Sequence, residues 1–367
     1  MEKRDFKKEV CDMNTIYCVT GAGGHLGNNI VKQLINQGKT VRAFEKTGQD
    51  TSMLCGAEIF YGDVTDKSTL TPFLAKTDQE QLVVIHAAGI VSITEKYDAK
   101  VFAVNYEGTK NVVDACIEAG VSKFVYVGSV HAAITKKGVN REEDLSFDVD
   151  KVNGNYAKSK SLAIQYVLAA AKNGFDACVV MPSGILGPND YGHNHITDAL
   201  RSYISGKLPA AAKGGYDFVD VRDAAQAIIA ASQKGNKGEL YLVSGGAHSM
   251  KEILDYAADT LGIKKIRTYL PEWFLLPVAW ICEAVYRLKK RTPLFTAYSI
   301  KVLNSKETFC CDKAKIQLDF EPRSARQTTA DTVLWLTQNG TTISKKMLIK
   351  EKPAKKTEVK SHKCTDS

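Results

Sequence analysis

Two groups of residues carry chemistry by their type and spacing. The first is a glycine run, in which Thr15-Ile-Tyr-Cys-Val-Thr20 leads into Gly21-Ala-Gly23-Gly24-His25-Leu26-Gly27, four glycines within seven residues. The backbone N–H groups of such a turn, with a helix N-terminus behind it, form a cradle for a pyrophosphate. Gly21 permits the tight turn, Gly24 leaves room for the phosphates, and Gly27 lets the next helix approach the sheet. The spacing, Gly-x-x-Gly-x-x-Gly, departs from the Gly-x-Gly-x-x-Gly of the commoner dinucleotide fingerprint. The second group is a phenol and an amine, Tyr156 and Lys160. Four positions apart, they share one helix face, and Ser129 lies 27 positions upstream at a strand end. A lone Tyr-x-x-x-Lys reads as a surface aromatic beside a solvated lysine. Behind a nucleotide-binding turn and a strand-end serine it reads as part of a reaction site.

The elements that must hold these residues follow from periodicity. Short β-branched or apolar runs predict strands at 15–20, 40–44, 58–62, 82–85, 124–127, 177–181 and 239–243. Leu82-Val-Val-Ile85 is apolar throughout, as befits a parallel sheet covered on both faces. Helical spacing appears at Ile30, Val31, Leu34 and Ile35 with Gly38 as the stop, and at Tyr97, Val101, Val104, Val112 and Cys116 up to Gly120. Further helices are expected at 155–172 and 224–232. Ligands of open parallel sheets bind at the carboxyl edge, which is where Ser129 and the small-residue run Ala87-Ala88-Gly89 fall. His86 reads as a packed structural histidine rather than a catalyst. Pro182 and Gly184, just after the sixth strand, are expected to wrap the nicotinamide end of a dinucleotide.

Glu45 closes the second strand about 20 residues past the turn, where a ribose 2′-hydroxyl is normally held. Its carboxylate would accept hydrogen bonds from the diol and repel a 2′-phosphate, which favours NAD. Lys46 and Arg42 pull the other way, so NADP is not excluded. Asp63, followed by Val64, either faces the adenine or caps the helix that starts near Lys67.

Composition narrows the partners. The net charge of +8 is concentrated at the end: residues 341–367 hold eight Lys and three acidic residues, which leaves +3 for the other 340. No basic face for nucleic acid is implied. Nine scattered cysteines have no metal-like spacing, and a reducing, cytoplasmic setting fits them best. His193 and His195 lack acidic or thiol neighbours and make no metal site. Residues 1–13 form a polar lead-in without a signal-peptide core, and the Lys-rich segment 341–367 is expected to be disordered. Between them, 14–248 form the nucleotide-binding domain, with 182–215 contributing to the substrate region, and 249–340 form a mostly helical substrate-binding region. The most apolar stretch, Tyr269 to Leu288, presents Phe274, Val278, Ile281, Val285 and Leu288 at helical spacing. It is too short and interrupted to span a bilayer. It is expected to line an apolar substrate cavity, with packing on the core or a weak membrane-surface contact through 269–291 as alternatives.

With the glycine turn, Ser129 and Tyr156-x-x-x-Lys160 in hand, the chain resembles an extended short-chain dehydrogenase/reductase over roughly residues 14–340. Within that superfamily it is most similar to the 3β-hydroxysteroid dehydrogenase and dihydroflavonol-reductase-like branch. Phe218-Val-Asp-Val-Arg-Asp-Ala224, Leu270-Pro271 with the aromatic helix after it, and Cys311-Asp-Lys-Ala-Lys-Ile-Gln-Leu-Asp-Phe-Glu-Pro322 carry that likeness. The resemblance implies a Rossmann-type doubly wound α/β fold with a smaller helical C-terminal region, and alcohol–ketone interconversion with NAD(P). Tyr156 would be the general acid/base, its phenol lowered by the Lys160 cation. Lys160 would also bind the nicotinamide ribose, and Ser129 would hold the substrate oxygen. Met181 stands where the family usually has Arg, and Gly128 where it has a small hydroxyl residue. A nucleotide-sugar epimerase or dehydratase, a dihydroflavonol or aldehyde reductase, and a non-enzymatic nucleotide sensor are the competing readings. A homodimer stays open.

Overall fold

The computed structural model describes residues 14–93, 97–288, 296–305 and 307–349, with the side chains of 284–288 left out. The lead-in 1–13 lies outside these residues. Seven strands form one parallel sheet: β1 (Asn14–Thr20), β2 (Thr40–Glu45), β3 (Glu58–Tyr61), β4 (Glu80–His86), β5 (Lys123–Val127), β6 (Ala177–Pro182) and β7 (Leu240–Val243). Their spatial order is β7-β6-β5-β4-β1-β2-β3, every pair parallel. The order reverses between β1 and β4, so the loops after these two strands diverge and leave a crevice at the carboxyl edge.

Side chains alternate across a strand, and β1 shows the consequence. Tyr17 and Val19 enter one apolar layer with helices α1 (His25–Asn36) and, later in the chain, Val221–Lys234, while Ile16 and Cys18 enter the opposite layer. The second layer holds α2 (Gly108–Glu118) and α3 (Asn155–Lys172). Before α2, the turn Ala99–Phe102 and a π-helical turn Ala103–Glu107 continue the same helix. Tyr97 was expected on this helix's buried face; it instead precedes the helix and is two-thirds exposed. A substrate-side lobe has its own core, in which α4 (His195–Ile204) packs with α5 (Met250–Leu261) and the helix Ala325–Gln338 through Leu200, Ile253, Leu254, Val333 and Leu336.

One expectation for the C-terminal part needs correction. The segment after Ser249 is mostly helical, as expected, with two short strand pairings, Tyr269–Leu270 with Ala211–Ala212 and Glu307–Phe309 with Gly138–Asn140. Disorder, however, does not begin at Thr341. Ser344 N–H donates to the Ile204 carbonyl (3.1 Å), Lys264 N–H donates to that of Met347 (2.8 Å), and Met347 packs on the lobe core. Apolar Ile343 and Met347, interleaved with the lysines, give this piece something to bury. Residues 350–367 lie outside the described part.

Candidate active site

The glycine turn is built by close approach. Gly21 adopts φ +65°, and a Cβ there would lie 2.6 Å from Ala88 Cα; a Cβ at Gly27 would lie 2.0 Å from the Gly21 carbonyl oxygen. Larger residues at either position would push β1 off the β4 loop or α1 off the turn. Gly24 is exposed and precedes α1, whose N-terminus no side chain caps. Its first-turn amides therefore remain for a ligand. This cradle fits the pyrophosphate of a dinucleotide.

Glu45 reaches the turn. Its Oε2 accepts from Gly23 N–H (2.6 Å) and its Oε1 from Lys46 N–H (3.0 Å). Lys46 is held by Asp63 (2.9 Å), and this hydrogen-bonded ammonium holds the Asp63 carboxyl down at about 2. Asp66, not Asp63, caps the turn at Lys67 by accepting from Ser68 N–H. Arg42 was expected to act at the ribose, but it stays below the sheet edge. It pairs with Glu58 (3.3 Å), lies over the Phe60 ring, and donates to the Phe73 and Ala75 carbonyls. Val64 is a packing residue against Gly108, with its carbonyl bound by Asn111 (3.0 Å). Leu26 points into the core, and the His25 ring turns away to Asn194 and the Pro188 carbonyl (3.0 Å each). Of the side chains in this stretch, that of Glu45 is the one that binds an amide of the glycine turn.

The β4 loop links the cradle to the second group. Ala87 N–H donates to the Thr20 carbonyl (3.2 Å), and a Cβ on Gly89 would lie 3.4 Å from Lys160 Nζ. Lys160 is buried on α3, donating to the Val127 carbonyl (2.8 Å) and lying 4.7 Å from the centre of the Tyr126 ring. Burial drives its ammonium down to about 7. Tyr156, one turn earlier, lies beside Ser129, whose hydroxyl acts on its phenol. Burial raises that phenol, and the Ser129 hydroxyl offsets part of the rise. The lowering expected from Lys160 is not met: burial and the Ser129 hydroxyl are the two influences on the phenol, and burial is the larger. Ser129 also accepts from His131 N–H (3.3 Å) at the start of a short 3₁₀ turn.

His86 is structural, as expected. Its Nδ1 lies 2.6 Å from Thr20 Oγ1 and its Nε2 3.0 Å from Thr109 Oγ1, and burial lowers its imidazole to about 3. Pro182 ends β6 in the core, and Gly184 makes room for an aromatic ring, since a Cβ there would lie 2.5 Å from Tyr216. The two departures at Gly128 and Met181 touch: a Cβ at Gly128 would lie 3.1 Å from Met181 Cγ. Methionine here fills the space that a residue larger than glycine would enter. His193 binds Asp198 and Arg201, and no cluster of metal-ligating side chains occurs among the described residues.

Three residues of this neighbourhood escaped the sequence reading. Asn105, in the π-helical turn, accepts from Ile90 N–H (2.7 Å) and donates to the Ile90 carbonyl and to Ser159 Oγ (3.0 Å each). It fixes the loop that carries Gly89. Its signal was a polar residue embedded among Val101, Val104 and Val112. His131 and Tyr216 stack with ring centroids 5.2 Å apart and are hydrogen-bonded beside Ser129. Eighty-five positions separate them, so no local pattern announces the pair.

A Rossmann sheet with a glycine cradle at its switch point and Ser129, Tyr156 and Lys160 at the same edge defines a nucleotide-dependent oxidoreductase. A model of the NAD dependent epimerase/dehydratase family matches residues 17–244, and the chain belongs to that family, whose cofactor is NAD. It is 30% identical to sterol demethylase protein B of Methylococcus capsulatus, over 88% of this chain and 98% of that one. It is 29% identical to a putative dihydroflavonol 4-reductase of Synechocystis, over 89% and 96%. The solved structure of gox2253 superposes with a TM-score of 0.73 at 28% identity, over 89% of this chain and 99% of that one.

Proposed function

We propose that the protein interconverts a secondary alcohol and a ketone on a bulky apolar substrate such as a 3β-hydroxysteroid. The observation that carries this reading is the contiguity of the site: the glycine cradle, the Ala87–Gly89 loop, Lys160, and Tyr156 beside Ser129 follow one another along the crevice. The sterol-related name of a relative that aligns over nearly its full length supports the substrate class.

NAD, when bound, supplies or accepts the hydride. The turn amides and Glu45 would hold its pyrophosphate and adenosine ribose, and Lys160 its nicotinamide ribose. Ser129 donates to the substrate oxygen and fixes its position. Tyr156 gives or takes the proton at that oxygen. Burial of the phenol keeps it protonated in the resting site, ready to act as an acid toward a ketone. Lys160, poised between its two charge states, gains a reason to stay protonated once hydroxyl acceptors lie against it.

A second reading, a nucleotide-sugar epimerase or dehydratase, draws support from one feature. A cleft of about 620 Å³ beside His131 is lined by Lys151, Lys158 and Lys301 as well as Tyr298 and Glu307, a surface that suits an anionic substrate. The experiment is to purify the full chain, measure NAD retained, and assay 3β-hydroxysteroids against sugar nucleotides. Steroid-dependent NADH formation supports the first reading. Turnover of sugar nucleotides alone, with NAD retained through purification, overturns it in favour of the second.

A further inference from the structure

Lys160 is a buried amine without a counter-ion. It is 4% exposed, and no carboxylate among the described residues offsets the push of burial on its charge. The titratable groups around it are Tyr156 on its own helix, Tyr126 on β5 and His86 on β4. A charge taken out of water needs compensation, and the Val127 carbonyl supplies one hydrogen bond (2.8 Å). The other contact is the face of the Tyr126 ring, whose centre lies 4.7 Å from Nζ. That distance is within cation–π range, and the attraction is strongest where water is excluded.

The ring is held in place to receive the charge. Tyr126 is fully buried and is the cross-strand partner of His86. The two rings stack at 5.7 Å with 29° between their planes. Thr20 and Thr109 bind the two nitrogens of His86, which fixes that ring in turn. Burial lowers the His86 imidazole to about 3, so it stays neutral and sets no charge against the ammonium.

On the proposed function, in which Lys160 holds the nicotinamide ribose, we infer that Tyr126 is a positioning residue for Lys160. Its ring face seats the ammonium in the charged form, in the place a carboxylate would otherwise take. Such a seat suits the task. An ammonium has three N–H donors, and Val127 takes one of them. A carboxylate would claim others through its lone pairs, whereas a ring attracts the charge through its quadrupole. Donors are thereby left for the ribose hydroxyls.

The test is a titration of Lys160 in the full chain without cofactor, by NMR of lysine isotope-labelled at Cε, with Lys160→Met identifying the resonance. The wild-type midpoint is expected at about 7. Tyr126→Phe keeps the ring face and should titrate with wild type. Tyr126→Leu should titrate about one pH unit lower, a rise of about tenfold in the acid constant. NAD affinity, read by calorimetry, should follow the charge: Tyr126→Leu should bind about tenfold more weakly than wild type at pH 8 and within about twofold of it at pH 5.5. A Tyr126→Leu midpoint equal to that of wild type overturns the proposal. So does a loss of affinity that is equal at both pH values, which is what a packing role gives. Should Tyr126→Leu not fold, phenylalanine and trifluorophenylalanine placed at position 126 offer nearly one shape with the negative ring face kept or drained. Equal midpoints for that pair overturn the proposal. If Lys160→Met binds NAD like wild type, the ribose assignment falls, and the midpoints decide the seat by themselves.

Discussion

Lys160→Met should make the cofactor-free protein more stable near neutral pH while destroying its use. Burial holds the Lys160 ammonium at about 7, against 10.5 for a free lysine. The folded state therefore binds fewer protons than the unfolded chain from about pH 7 to 10.5. Stability rises with pH wherever the unfolded state binds more protons, so this lysine's burden is greatest below pH 7 and is relieved above it. At 1.36 kcal/mol per unit the burden at pH 7 is about 4 kcal/mol. Methionine removes it but leaves the Val127 carbonyl without its 2.8 Å donor, a loss of about 1–3 kcal/mol. The variant should then be about 1–3 kcal/mol more stable than wild type at pH 7. That advantage should shrink by about 3 kcal/mol between pH 7 and 9.5. Urea unfolding of both proteins without cofactor, from pH 6 to 9.5, measures the difference, and other titrating groups cancel between them. NAD affinity, read by calorimetry, should fall in the variant. A stability difference that stays flat across this window would refute the idea that Lys160 is held against its charged form.

Three further outcomes follow from the geometry. Tyr156→Phe keeps the ring's packing and deletes the transferable proton. Turnover should drop to a small fraction with NAD affinity near wild type, and substantial residual activity would remove the phenol from the chemistry. Glu45→Ser should raise NADP use relative to NAD by roughly tenfold, since a contact charge pair is worth ~1 kcal/mol in water and a few when partly buried. With Arg42 committed to Glu58, the remaining cation is Lys46, and an unchanged ratio of kcat/KM values would place Glu45 away from the ribose. Asp220→Ala should cost about 3–5 kcal/mol, the penalty for breaking a buried ion pair. Asp220 accepts from Arg222 N–H, Nε and Nη2 and from Thr328 Oγ1, tying the start of the helix Val221–Lys234 to the helix Ala325–Gln338. A loss under 1 kcal/mol in urea melts would show that this network does not hold the two together.

The parts of this molecule that were legible in its sequence are those in which one short stretch sets both conformation and chemistry. The glycine turn is one, because a strand, a positive φ at Gly21 and a helix start occupy consecutive residues. Tyr156 and Lys160 are another, because one helical turn puts both on the same face. Where the site depends on contact between distant segments, local reading failed. Asn105 clamps Ile90 across a loop, and Arg42 finds Glu58 and the Phe73 carbonyl rather than the ribose that its strand position suggested. The His131–Tyr216 stack needs Gly184 to be a glycine, a requirement visible only once the ring is seen against it.

The helix Glu272–Leu288, expected to line the substrate cavity with its Phe274 stripe, instead exposes Trp273, Phe274, Val278, Trp280 and Ile281. Local reading failed there for a different physical reason. Periodicity tells inside from outside only when one face is polar, and between Trp273 and Cys282 every residue is apolar or proline. The stripe Phe274, Val278, Ile281 and the stripe Leu275, Ala279 are equally good inward faces by that criterion. Val285 and Leu288, which prolong the first stripe, have side chains outside the described residues. The choice was made by shape: Ala279 is small enough to let the helix approach Ala297 and Ile300, and Glu283 finds a backbone donor on the same side. Packing thus spent the smaller apolar residues inward and left two tryptophans outward. That is the opposite of what core formation alone favours, since large side chains gain most from burial.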